Sequence, residues 1–300
     1  MMDTQAWERP RPAFRPRVPT HPYTNAHDPM RHPFALRTAL AACALGSMTL
    51  AGCATTGINR GDFNVVSLQE EWQLGAQLEA DVNRQVRLTN DAALNAYVNE
   101  LGQRLVRQTE LANMPWKFHV VVDPAINAFN IPGGHVYVNT GLLAKADNAA
   151  ELVGVLAHEI THGVSRHGTE RISKQYGLSS VAGFALGRNP GVVRQIAAQI
   201  VAGGAIAKFS RSDEREADRY GVRYMTGAGF NANGMATMFQ KLMGERRSRP
   251  NGVAKFFSTH PLTEDRITAV RAEIRSQGGA RGTLTDAGFA RAKARAQSVR

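Results

Sequence analysis

Apolar residues recur at near-helical spacing in two consecutive stretches. Trp72, Leu74, Leu78, Val82 and Val86 predict a helix over 68–88, and Leu94, Val98, Leu101 and Leu105 predict a second over 91–107. The other positions are polar, as on helices that show one face to water. The pattern then changes to alternating and β-branched residues over 116–122, and again over 135–139 beyond the breaker Pro132-Gly133-Gly134, which predicts strands of a small sheet. Helical spacing returns over 148–166, where Leu152, Val155, Leu156 and Ile160 form the apolar side, and over 212–225, 233–247 and 263–276. Residues 177–207 are rich in Gly, Ala and Val and carry no clear period. The longest uncharged piece there is too short to cross a bilayer, so it reads as buried helix or as a surface that touches membrane or substrate. The last twenty residues are basic and alanine-rich and predict a peripheral helix or a frayed tail. The fold class expected is α+β, mostly helical with a small sheet.

The N-terminal region has a different character. An apolar run over 38–52 follows Arg31 and Arg37 and ends in Leu50-Ala51-Gly52-Cys53, the layout of an export signal. Its end resembles the lipobox of bacterial lipoproteins, which implies a signal peptide over 1–52, lipidation of Cys53 and a flexible tether over 53–66. Ala54 in place of aspartate leans the resemblance towards the outer membrane. An ordinary signal peptide or a short buried helix is the alternative, and a start at Met30 would give the signal a more usual length. Both cysteines, Cys43 and Cys53, fall in or beside this run, so the body of the chain has no disulfide framework. The formal charge of +11 includes six Lys/Arg and three acids ahead of Cys53, so +8 remains beyond it. Such a surface suits anionic headgroups or acidic partners. No nucleic-acid motif accompanies it, and nucleic acid is not an expected partner. The divisions expected are thus 1–52, 53–66, a catalytic domain over 67–278 and a basic tail over 279–300.

The chemistry concentrates in Val155-Leu156-Ala157-His158-Glu159-Ile160-Thr161-His162. Residues four apart project from one helical face about one turn apart, so His158 and His162 can converge on one metal ion with Glu159 at its edge. A catalytic zinc needs three protein ligands, an open position for water and a nearby base. The pattern therefore predicts one Zn²⁺ per chain, with Glu159 taking the proton from water. His167 falls off the face of His162 and reads as a surface residue. The third ligand must come from another segment, and 210–221 is the best source. Glu214, Asp218, Gly221 and Met225 share one helical face with Ala217 beside them, whereas Glu216 shares its side with Arg219, Tyr220 and Arg223. Facing favours Glu214 as ligand and Asp218 as the carboxylate that orients a ligand imidazole. Asp213 and an ordinary salt-bridged surface helix stay open as alternatives.

On these residues the chain resembles the HtpX, BepA and LoiP family of membrane-associated zinc metallopeptidases, the glutamate-ligand zincins, over residues 68–276. His158-Glu159 with His162 matches its zinc motif, and Glu214 with Asp218 matches its glutamate-to-aspartate motif. Asn127-Ala128-Phe129, Pro132-Gly133-Gly134 and Gly141-Leu142 are similar to the segment before the active helix. Ser258-Thr259-His260-Pro261 followed by Arg266 is similar to the C-terminal motif of the BepA branch. The resemblance implies a zincin-type fold with its sheet beside the active-site helix. It also implies that extended substrate pairs along Gly134, His135, Val136, Tyr137 and Val138. By the same resemblance His260 is a latch that swings onto the zinc, and Arg266 either anchors its loop or assists the oxyanion. With nothing after Ser276 long enough for a helical-repeat domain, the chain is closer to the short LoiP-like members.

Two functions follow as expectations. One is an endopeptidase on the periplasmic face of the outer membrane, held there by lipidated Cys53, that cleaves misfolded or stalled envelope proteins. The other is a chaperone-like scaffold for the outer-membrane assembly machinery, with a mainly structural metal.

Overall fold

The computed structural model describes residues 66–203 and 208–299. The export segment, Cys53 and all but the last residue of the tether lie outside the described residues. Helix α1 (Leu68–Asn83) starts at a capping box, in which the Ser67 hydroxyl accepts from the Glu70 amide and the Glu70 carboxylate accepts from the Ser67 amide. Its stripe Leu74, Leu78 and Val82 is fully buried. The helix stops five residues short of the expected end, and Leu88 instead makes an isolated bridge to Val121. Helix α2 (Ala92–Val106) follows, capped by Asp91.

Strands β1 (Lys117–Val121), β2 (Ala128–Ile131) and β3 (His135–Asn139) form one sheet in the order β1-β3-β2. β3 runs parallel to β1 and antiparallel to β2. Alternation does not predict β2, because it is only four residues long and buried throughout. The β2–β3 turn passes through Gly133 and Gly134 at φ of 84° and 77°, a conformation in which a side chain would be strained. This topology corrects one expectation. The strand of Gly134, His135, Val136, Tyr137 and Val138 is central and hydrogen-bonded on both sides, so no peptide can add along it.

Helix α3 (Thr140–Lys145) leads to α4 (Ala149–Val164), whose N-cap Asn148 accepts from the Glu151 amide. Then come α5 (His167–Tyr176), α6 (Leu178–Ala185), α7 (Pro190–Gly203), α8 (Arg211–Gly227), α9 (Asn233–Ser248), α10 (Pro250–Thr259), α11 (Glu264–Ser276) and α12 (Phe289–Ser298). All 16 residues of α4 are buried, enclosed by α2, β2, α8 and α9. Leu152, Val155, Leu156 and Ile160 have no exposed surface, and full burial of such a side chain stabilises by about 1.5–3 kcal/mol. A Cβ on Gly221 of α8 would lie 3.4 Å from the backbone of Ala157 and His158. The small residue lets α8 approach α4 closely, and the acids of α8 come with it.

The sheet separates two apolar clusters. Phe118, Val120, Val136 and Val138 join α2, α4 and α9 on one face, and Phe129, Ile131 and Tyr137 join α1, α6 and α7 on the other. The Gly/Ala/Val-rich stretch therefore contributes buried helix: Val193, Ile196 and Ile200 pack into this second cluster. No helix among the described residues is long and apolar enough to cross a membrane. On α12, Phe289, Ala292 and Ala296 are buried in the larger cluster. The architecture is α+β, mostly helical, with the sheet beside α4.

Candidate active site

Helix α4 brings His158 and His162 together, with their Nε2 atoms 3.1 Å apart and both rings fully buried. Each ring is held from behind at Nδ1. Asp218 Oδ1 lies 3.0 Å from His158 Nδ1, and His167 Nδ1 lies 2.8 Å from His162 Nδ1. Such partners fix ring orientation and leave Nε2 aimed at the centre. His167 is therefore no surface residue, and that expectation is corrected. α4 ends at its C-cap Ser165, and Arg166 takes a left-handed φ of 61°. His167 opens α5 in a new direction and folds back against His162, so helical phase counted from His158 does not reach it. Phe209 stacks on His162 with ring centroids 3.9 Å apart.

Helix α8 supplies the acids. Its capping box uses Asp213, whose carboxylate accepts from the Ser210 amide at 2.9 Å and pairs with Arg171 at 3.2 Å. Glu214, one residue on, is 1% exposed and stands 3.5 Å from His162 Nε2 and 3.6 Å from His158 Nε2. Glu216 points to the outer side, 3.6 Å from His167 Nε2. Helix α10, which hydrophobic spacing does not mark, delivers His260 at its C-cap. His260 Nδ1 is 2.9 Å from Glu214 Oε1 and 3.2 Å from His158 Nε2. Ligand atoms of His158, His162, Glu214 and His260 all lie within 4.8 Å of one another, a group that could hold a metal ion.

Arg266, in the first turn of α11, braces both acids. Its Nε and Nη2 donate to the two Asp218 oxygens at 2.8 and 2.7 Å, and Nη1 donates to Glu214 and to the Pro261 carbonyl. Burial alone would raise both carboxyls. His260 and Arg266 overcome it at Glu214 and hold that group well below the ordinary carboxylate range, and Arg266 with His158 holds Asp218 down. Burial also opposes the charge on Arg266, but Asp218 and Glu214 outweigh it and raise the guanidinium. His260 is raised in the same way by Glu159 and Glu214 against burial, whereas burial takes His162 well below its ordinary value.

Glu159 differs from these acids. It has no exposed surface, and neither carboxylate oxygen has a hydrogen-bond partner among the described residues. His260 Nε2 lies 3.3 Å from its Oε1 without hydrogen-bond alignment. Burial is the main cause that pushes this carboxyl up. The Glu159 carbonyl accepts from Asn130 Nδ2 at 2.7 Å, which ties β2 to this turn of α4. Buried acids without partners are costly and uncommon. Here the orphaned carboxylate borders an N/O donor set of the kind that binds zinc-class ions, so the residues fit such a metal. A cavity of about 510 Å³ opens beside Glu214 and Arg266, lined also by Phe209, Arg215 and Pro261.

The sequence profile of peptidase family M48 matches residues 92–274, a span that contains every residue of this cluster. The chain belongs to peptidase family M48. M48 members are metalloproteases, and the mostly helical zincin-type domain expected from the motifs is the one observed. The M48 chain is 28% identical over 270 residues to the beta-barrel assembly-enhancing protease of Escherichia coli, covering 79% of this chain and 52% of that protein. It is 37% identical over 197 residues, 62% of this chain and 40% of the other, to a Vibrio cholerae protein given the same name provisionally. Mitochondrial metalloendopeptidase OMA1 of Schizosaccharomyces pombe is 30% identical over 215 residues, with 71% of this chain and 63% of that protein covered. The chain thus spans about half the length of the curated relatives it matches.

Proposed function

We propose that this M48 chain is a zinc-dependent endopeptidase of the bacterial cell envelope that cleaves misfolded or stalled envelope proteins. The observation that carries the reading is the meeting of His158, His162 and Glu214 beside a buried Glu159 that has no hydrogen-bond partner among the described residues. His158, His162 and Glu214 would hold the ion, and Asp218 and His167 would orient the two imidazoles. Bound Zn²⁺ supplies Lewis acidity, polarising a peptide carbonyl and acidifying water. Glu159 takes a proton from the attacking water and delivers it to the leaving amine. Arg266 keeps the two acids of α8 ionised and in place.

Substrate would add along β2 rather than along the central strand. β2 is the strand at the sheet edge beside α4, and Asn130 links it directly to the Glu159 backbone. Backbone pairing at an edge is tolerant of sequence, which suits the clearance of unfolded chains. Lipidated Cys53 would hold the enzyme at the periplasmic face of the outer membrane, where partners in outer-membrane assembly are met. The first test is metal removal. Stripping with a chelator should abolish cleavage of casein, one equivalent of Zn²⁺ at this centre should restore it, and cleavage that continues in metal-free protein would sink the reading.

His260 is the latch in this scheme. Its full burial and its contacts with Glu214 and His158 support a ring that fills the position water needs. His260→Ala should raise basal cleavage of unfolded protein. If neither cleavage nor metal affinity changes, the latch is wrong.

A further inference from the structure

The sheet face covered by α1 carries chemistry that the centre on α4 does not use. His119 on β1 and His135 on β3 lie on adjacent parallel strands, in a register that pairs Lys117 with His135 and His119 with Tyr137. Their rings are stacked 6.0 Å apart at 15°. From α1 above them comes Glu79. A single oxygen, Oε1, stands 3.3 Å from His119 Nε2 and 3.5 Å from His135 Nδ1. Both ring nitrogens are buried and have no hydrogen-bond partner among the described residues, so neither N–H is aligned on the carboxylate. The three donor atoms lie within 4.8 Å of one another.

We propose that Glu79, His119 and His135 form a second metal site, for a divalent transition-metal ion of the zinc class. Two ring nitrogens and a carboxylate oxygen that converge without hydrogen bonds are a donor set that a cation between them would satisfy. Neutral imidazole is the form that ligates metal. Two nitrogens and one oxygen suit Zn²⁺, Co²⁺, Ni²⁺ or Cu²⁺ rather than Ca²⁺ or Mg²⁺, with water completing the shell. Lys117 does not block the site, since its ammonium takes the other oxygen, Oε2, at 2.6 Å from the solvent side. Its charge weakens cation binding there. The ligands come from α1 and from two strands, so an ion would clamp α1 onto the sheet. The site shares no residue with the centre on α4 and does not depend on its assignment.

The test is metal stoichiometry on the full chain in detergent, stripped with a chelator, titrated with Zn²⁺ and read by plasma mass spectrometry. The Glu79→Gln/His119→Gln double variant should bind one equivalent fewer than wild type, while His158→Ala/His162→Ala should keep the equivalent held by Glu79, His119 and His135. Lys117→Gln alters only a half-exposed side chain and leaves all three ligands in place. It should tighten one equivalent several-fold. Equal stoichiometry in wild type and the Glu79→Gln/His119→Gln variant, or unchanged affinities in Lys117→Gln, would overturn the proposal. The variant at His158 and His162 reports separately on the other centre.

Discussion

Glu159→Gln should lower peptide hydrolysis by about 10²–10⁴-fold, the usual contribution of a general base, while zinc content at His158, His162 and Glu214 stays at the wild-type level. The amide has the same shape as the carboxylate and fits the same buried space. It cannot accept the proton that water must lose. None of the metal-donor atoms belongs to Glu159, so a loss of metal together with activity would point to misfolding instead. Casein cleavage and zinc content measured on the same preparations decide the matter. Cleavage within a few-fold of wild type at equal zinc content would remove Glu159 from the mechanism. If the variant loses cleavage but still supports outer-membrane assembly, the scaffold role is separate from proteolysis.

The second large effect is expected at Arg266. Its guanidinium is buried and donates to both oxygens of Asp218 and to Glu214. Removing one partner of a buried ion pair typically costs about 3–5 kcal/mol, because the remaining charge has neither water nor counter-ion. Arg266→Ala should destabilise the metal-free chain by that amount in urea unfolding. Arg266→Lys should recover only part of it, since an ammonium cannot span Asp218 with two parallel bonds. A loss below about 1 kcal/mol, the scale of exposed pairs, would mean that water reaches the two acids. With metal bound the destabilisation should shrink, because the ion neutralises Glu214 but not Asp218.

Helical periodicity carries the site well where one helix is continuous. His158 with His162, and Glu214 with Asp218, meet because each pair lies four residues apart on an unbroken helix. The same geometry favours Glu214 over Glu216 and leaves Asp213 open, and the structure brings Glu214 alone of the three into the cluster. Periodicity fails where the chain breaks. His167 lies beyond the left-handed residue Arg166, and nothing in the spacing of apolar positions announces that turn. His260 arrives on a ten-residue helix of which only Val253, Phe256 and Thr259 are buried, and the BepA-type motif, not patterning, singled it out. Strand order is a matter of long-range pairing. Four buried residues of β2 leave no alternation to read, so spacing does not reveal that β3 is central, and the substrate strand is implied by the resemblance alone.

Arg166 has a mechanical consequence. Its guanidinium pairs with the buried Glu71 at 2.5 Å and donates to the carbonyls of Val66 and Ser67. It sits four residues beyond His162, at the end of α4. Val66 also packs into the cluster of α1, α6 and α7, so tension on the chain at Val66 is shared between that cluster and Arg166. A force on the chain at Val66 would in this way be passed to the end of the histidine helix, next to His167.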